Sequence, residues 1–156
     1  MWDMISDMGD KGKVLDNLRR QCSRREYCTA DVMKKAEKAL EGDVEQACEV
    51  VRILVEERYV DDLRYASAFA RDKSSISGWG GSKIRYMLSA KGIPKDIISQ
   101  ALDEIDMQKA GNRMEKLLEN KSRSLKDDPQ WKLKLIRFAL GRGYSYDNVN
   151  DFLKNR

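Results

Sequence analysis

The side chains available for chemistry in this chain are 30 lysines and arginines, 26 carboxylates and 3 cysteines, and there is no histidine. Without an imidazole the chain cannot assemble a Ser-His-Asp or Cys-His triad, an H-E-x-x-H zinc site or a histidine general base. Most hydrolase designs are thereby excluded. Cys22, Cys28 and Cys48 fit neither a CxxC redox motif nor the spacing of a zinc knuckle. They read as reduced thiols, with Cys22 and Cys48 on apolar stripes where small hydrophobes belong. The loop Gly78-Trp79-Gly80-Gly81-Ser82-Lys83 lacks the G-x-x-x-x-G-K-[ST] spacing and follows no strand, which argues against a nucleotide site. With no third acidic or imidazole partner nearby to complete a metal site, Asp61 and Asp62 suit the N-terminal end of a helix dipole instead. An enzyme would have to use Asp, Glu, Lys, Tyr or Cys, and no such set converges along the sequence. No catalytic residue, cofactor, metal or small-molecule substrate is therefore expected.

What the chain does offer is charge. The net charge is +4 over 156 residues, but residues 107–156 hold 12 basic and 6 acidic side chains. A basic lobe on a near-neutral body points to a polyanion or an acidic protein surface as partner, against the plainer alternative of a solvated lysine-rich face. No stretch approaches ~18 apolar residues, and Asp3, Asp7 and Asp10 stand where a secretory signal would be basic, so a cytoplasmic protein without membrane contact is expected.

The elements that must position these charges are helices. With only 2 prolines and no convincing alternation, apolar residues recur at helical spacing from Val14 to Leu153. Residues 1–12 carry no clean pattern and are expected to be a mobile lead-in. A first helix carries Val14, Leu15, Leu18 and Cys22, and a second, with Thr29 as its expected cap, carries Val32, Met33, Ala36 and Leu40. Asp43 with Gln46 resembles a capping box ahead of a third helix that stops near Tyr59. Asp61 and Asp62 open the fourth helix, and Ile84, Met87 and Leu88 mark the fifth. Gly92 followed by Pro94 is a stop and restart. In the last third, Asp128-Pro129 reads as a cap and first helical residue, and Gly143 as a stop.

The chain also repeats. A constant offset of 51 residues pairs Ile84 with Leu135, Met87 with Phe138, Gly92 with Gly143, Ile98 with Val149 and Leu102 with Leu153. The first part follows the same order in an approximate register. The fold is thus expected to be all-α, an elongated array of three tandem three-helix repeats over residues 13–60, 61–106 and 107–156. Such arrays present a face to another macromolecule rather than enclosing a small ligand.

The residues Tyr59-Val60-Asp61-Asp62-Leu63-Arg64-Tyr65-Ala66, with Gly78-Trp79-Gly80, Lys83-Ile84-Arg85 and Lys91-Gly92-Ile93 behind them, resemble the middle repeat of the RecX family, regulators of the bacterial recombinase RecA. Leu18, Arg24-Arg25-Glu26 and Val32, and Arg142-Gly143-Tyr144, sit where the flanking repeats of that family have similar residues. The first repeat departs from the pattern, with Glu41-Gly42-Asp43 in place of a Lys-Gly-Ile stop. The resemblance implies a non-enzymatic protein that binds the RecA filament on single-stranded DNA and, as in most members, inhibits strand exchange, ATP hydrolysis and coprotease function. A monomer that binds bare DNA only weakly is expected. The alternative is a helical nucleic-acid-binding module acting without RecA; a scaffold binding another protein is a third.

The residues expected to meet filament or DNA are Arg24 and Arg25, the helix-four stripe of Arg64 and Arg71, Lys83, Arg85 and Lys91, and Lys132, Lys134, Arg137 and Arg142. Asp61, Asp62, Gly78, Trp79, Gly80, Gly92 and Gly143 are expected to be structural, with Trp79 plugging the junction of helices four and five. Helix eight is apolar on two sides, Trp131, Leu135 and Phe138 against Leu133, Ile136 and Leu140. It is expected to be sandwiched, or, if the second stripe is exposed, to bind protein.

Overall fold

A computed structural model describes the backbone of residues 2–155 and the side chains of residues 10–155. Among the described residues the periodic apolar segments form nine α-helices and no strand: α1 (Trp2–Arg24), α2 (Thr29–Ala39), α3 (Val44–Glu56), α4 (Asp62–Ser75), α5 (Gly81–Ala90), α6 (Lys95–Asp103), α7 (Met107–Ser124), α8 (Trp131–Gly141) and α9 (Tyr146–Lys154). The segment read as a lead-in is helical from Trp2 and continuous with α1. Lys11, inside that segment, forms an ion pair with Glu49 on α3. Among the described residues, no helix is long and apolar enough to cross a membrane.

The repeat is visible in the backbone. Gly42, Gly92 and Gly143 follow α2, α5 and α8 with φ of +85°, +78° and +93°, a left-handed conformation that glycine adopts without penalty. Glu41-Gly42-Asp43, which departs from the expected stop, also turns left-handed but over two residues, Glu41 at φ +55° and then Gly42, whose N–H donates to the Glu37 carbonyl at 2.8 Å.

Three helix starts differ from the sequence reading. Thr29 is the first residue of α2 rather than its cap; its N–H donates to Asp62 Oδ1 at 2.8 Å, so a carboxylate distant in sequence does the capping. Pro94 precedes α6, with extended ψ, instead of occupying its first turn. Asp128 sits two residues too early to cap α8 and accepts from the Gln130 N–H at 2.8 Å, while the helix begins at Trp131. The Asp43 cap is as expected, its side chain accepting from Gln46 N–H.

The described residues fall into two compact units, one running up to Tyr65 together with Lys91–Ile93, the other comprising Ala66–Ala90 and the chain from Pro94 on. In the first unit, Leu18, Cys22, Val32, Ala36, Val50, Val51 and Leu54 meet in one core, with Val60 closing it. Bonds from later residues belong to this unit. Arg64 Nε donates to Glu26 at 2.6 Å, and Lys91 Nζ to Asp31 at 2.9 Å. Burial alone would raise the Asp31 carboxyl, but hydrogen bonds from Lys91 and Cys28 outweigh it and hold it below the ordinary carboxylate range.

In the second unit, Leu118, Leu135, Ala139, Val149 and Phe152 form a core to which α7, α8 and α9 each contribute. The expectation that α8 is sandwiched is corrected here. Leu135 is fully buried and Ile136 packs against the core, but Leu133 and Leu140 are 45% and 47% exposed. The stripe of Trp131, Leu135 and Phe138 thus faces the core together with Ile136, while Leu133 and Leu140 of the second stripe stay exposed among the described residues.

Candidate functional site

In the second unit, the loop after α4 is held by a set of polar contacts. α4 ends at Ser75, and the Trp79 N–H returns to the Lys73 carbonyl at 2.9 Å. The Trp79 ring meets Phe69 edge-on at 6.2 Å, with the Lys73 and Lys83 ammonium groups 4.7 and 4.3 Å from its centroid. Trp79 therefore plugs the turn between α4 and α5, and Lys83 is engaged with it.

This loop is zipped to the one after α8. The Gly80 N–H donates to the Arg142 carbonyl at 2.7 Å and the Ser82 N–H to the Gly143 carbonyl at 3.2 Å. Side chains complete the seam: Arg142 Nη1 donates to the Ser77 carbonyl at 2.8 Å, and the Tyr144 hydroxyl to the Gly78 carbonyl. Burial pushes the Tyr144 phenol up, which keeps the hydroxyl proton available for that bond. A Cβ on Gly80 would overlap the Gly143 carbonyl, and one on Gly78 would come within 2.7 Å of Leu117 Cδ1. Gly80 is thus required by close backbone approach, and Gly78 and Gly143, with φ of +68° and +93°, by conformation as well.

The eleven basic residues expected at an interface divide by what they already hold. Arg64 is tied to Glu26 and to the Arg58 and Tyr59 carbonyls, Lys91 to Asp31, Lys134 to Asp128, and Arg142 to Ser77 with its guanidinium 5.2 Å from the Phe138 ring centroid. These four have structural work. Arg85 is exposed and reaches Ser99 Oγ at 3.3 Å, Arg25 lies 4.8 Å from the Tyr27 ring centroid, and Lys132 lies 5.5 Å from that of Trp131. Arg24, Arg71 and Arg137 are exposed. Asp61 Oδ1 accepts from the Arg64 N–H at 3.0 Å at the start of α4, whereas the Asp62 carboxylate accepts from the Thr29 N–H at the start of α2. No cluster of three His, Cys, Asp or Glu side chains suited to a metal occurs among the described residues.

Two surfaces emerge. On the open side of α8, Leu133, Arg137 and Leu140 recur at helical spacing, so a cation and two exposed leucines share one face, with Lys132 exposed about a quarter-turn away. The second was missed in the sequence reading: Lys109, Arg113, Lys116 and Asn120 recur at i, i+4, i+7, i+11 along α7, a pattern visible in the sequence but submerged in the overall basic count. Arg113 Nη2 donates to Ser74 Oγ at 3.0 Å, which brings this face against the end of α4.

Two family models match the chain, the second three-helix domain of RecX over residues 61–102 and the third over residues 112–153. The regulatory protein RecX of Clostridium botulinum (strain Eklund 17B / Type B) is 35% identical over 116 residues, which cover 72% of this chain and 54% of that protein. That of Escherichia fergusonii is 26% identical over 132 residues, covering 85% and 79%. The chain thus spans about half the length of the first of these relatives. A crystal structure of regulatory protein RecX superposes with a TM-score of 0.86 at 21% identity, over 99% of this chain and 76% of that one. RecX from Lactobacillus salivarius superposes with a TM-score of 0.81 at 21% identity, over 95% and 97%, and both show the same fold.

Proposed function

Because the chain belongs to the RecX family, we propose that it is a non-enzymatic regulator of RecA that binds the recombinase's filament on single-stranded DNA and restrains ATP hydrolysis, strand exchange and coprotease function. The observation that carries the binding mode is the open face of α8, where Arg137 lies between the exposed Leu133 and Leu140 and Lys132 is exposed to one side. Cations alone would suit bare DNA. Leucines left in water beside them suit a partner that is protein and nucleic acid together, which is what a filament presents. The mechanism is occupancy: a bound helical array obstructs subunit addition or an incoming duplex, and acts as a conformational switch only to the extent that it prefers one filament state.

Co-sedimentation with RecA filaments, and with the same DNA lacking RecA, tests this placement. Lys132→Ser with Arg137→Ser is expected to weaken filament binding by roughly tenfold, about 1.4 kcal/mol, and to flatten its salt dependence while leaving helicity intact. Lys134 and Arg142 are left in place because their bonds to Asp128 and Ser77 are structural. Leu133→Ser with Leu140→Ser should weaken filament binding and spare bare DNA. Unchanged filament binding in both variants would refute the α8 placement, and equal affinity for bare DNA would favour a nucleic-acid-binding module acting without RecA.

A further inference from the structure

Beneath the zipped loops, a cavity of about 270 Å³ is lined by Ser75–Gly78 on one side and by Arg113, Lys116, Asn120 and Arg142 on the other. Its charge is one-sided. Three cations face it and no carboxylate lines it. Among the described residues, Arg19, Arg52, Arg64, Lys11, Lys91 and Lys134 are all in ion pairs, whereas Arg113, Lys116 and Arg142 are in none. Both guanidinium groups are half-buried, and each is fixed by a neutral acceptor, Ser74 Oγ for Arg113 and the Ser77 carbonyl for Arg142. The Arg113 Nε is buried with no hydrogen-bond partner. A guanidinium has five donors, so both arginines retain N–H groups beyond those bonds, and like charges gathered without a counter-charge raise the potential of the cavity they surround. On the other side of Arg113, a cavity of about 430 Å³ also has Arg71 and Lys109 in its wall, but there Glu104 and Asp106 line it too. The acid-free cavity is the better anion site.

We infer that this cavity seats a backbone phosphate of single-stranded nucleic acid, held by the Arg113 and Arg142 guanidinium groups and Lys116. Planar guanidinium forks match the oxygens of a phosphodiester, and Lys116 adds a mobile point charge at the mouth. The choice of nucleic acid over an acidic peptide rests on Ile76. It is 81% exposed on the loop that forms the cavity wall, an apolar surface next to the phosphate position. A single strand has unstacked bases and sugars to lay against such a side chain, whereas a duplex keeps its bases stacked inside and a peptide carboxylate brings no such group with it. Gly78 and Tyr144 hold this loop in place, so the site is pre-formed by the seam between the two loops. The inference deepens the filament reading, since the strand is the one a filament carries, but it is tested without RecA and so can fail separately.

The test is titration of the full chain with short oligothymidylate, followed by amide NMR shifts and by the dissociation constant as a function of salt. The expected result is that shifts gather on Ile76, Ser77, Gly78 and the α7 residues around Arg113. Lys116→Ala, a change at an exposed side chain, should weaken binding several-fold and reduce the salt slope by about 1, while Lys95→Ala on α6 does less. Arg113→Lys, which keeps the charge and removes the fork, should also weaken it if the guanidinium geometry matters. Inorganic phosphate and polyglutamate are titrated in parallel. Shifts elsewhere, or unchanged affinity in Lys116→Ala, would overturn the assignment; so would polyglutamate entering the site at lower charge concentration than oligothymidylate, or phosphate entering it while the oligonucleotide does not.

Discussion

Replacing Gly80 by alanine is expected to destabilise the second unit by about 3 kcal/mol, the sum of ~1–3 kcal/mol for forced overpacking and ~1 kcal/mol for a hydrogen bond lost from the seam. The added methyl would run into the Gly143 carbonyl and the Tyr144 ring, and the first of these is backbone that cannot rotate away. To relieve the overlap the loops must separate, which stretches the bonds from Gly80 N–H to the Arg142 carbonyl and from Ser82 N–H to the Gly143 carbonyl. At ~2–4 °C per kcal/mol for a chain of this size, the melting transition should fall by roughly 6–12 °C. Gly81 is the control. A Cβ there meets nothing within 4 Å, and the residue lies in the first turn of α5, so Gly81→Ala should be neutral or slightly stabilising. If Gly80→Ala melts with the unaltered protein, the two loops are not in contact.

Leu135→Ala should cost about 2–5 kcal/mol, because the side chain is fully buried at the centre of the α7, α8 and α9 core and its removal leaves a cavity as well as lost transfer energy. Leu133→Ala, two residues away, should cost less than about 0.5 kcal/mol, since almost half of that side chain is already in water. Denaturant midpoints of the two variants measure the difference. Equal losses would mean that α8 is covered on both sides, as its two apolar stripes suggest when read as sequence alone.

That contrast shows how far the sequence carries. Helix positions were legible because apolar residues at helical spacing leave few alternatives, and the constant offset linking Gly92 to Gly143 marked the repeat that the left-handed glycines display. Caps were less legible. Thr29 looks like a cap by type, but the carboxylate that meets its N–H is Asp62, which no local pattern connects to it. Nor could spacing reveal which basic residues are engaged. Arg64 and Arg137 are equivalent as sequence, yet one is fixed by Glu26 and two backbone carbonyls while the other is exposed. The α7 stripe of Lys109, Arg113 and Lys116 was legible in principle, but its meaning depends on the end of α4 and on Arg142 meeting it, which is tertiary information.

The central claim, that this chain acts on RecA filaments rather than on DNA alone, is tested most directly by RecA ATP hydrolysis on single-stranded DNA during titration with the protein, alongside binding of the protein to the same DNA without RecA. The account predicts that hydrolysis falls at concentrations too low to coat the bare DNA. Hydrolysis that falls only once the bare DNA is saturated, or does not fall at all, would contradict it.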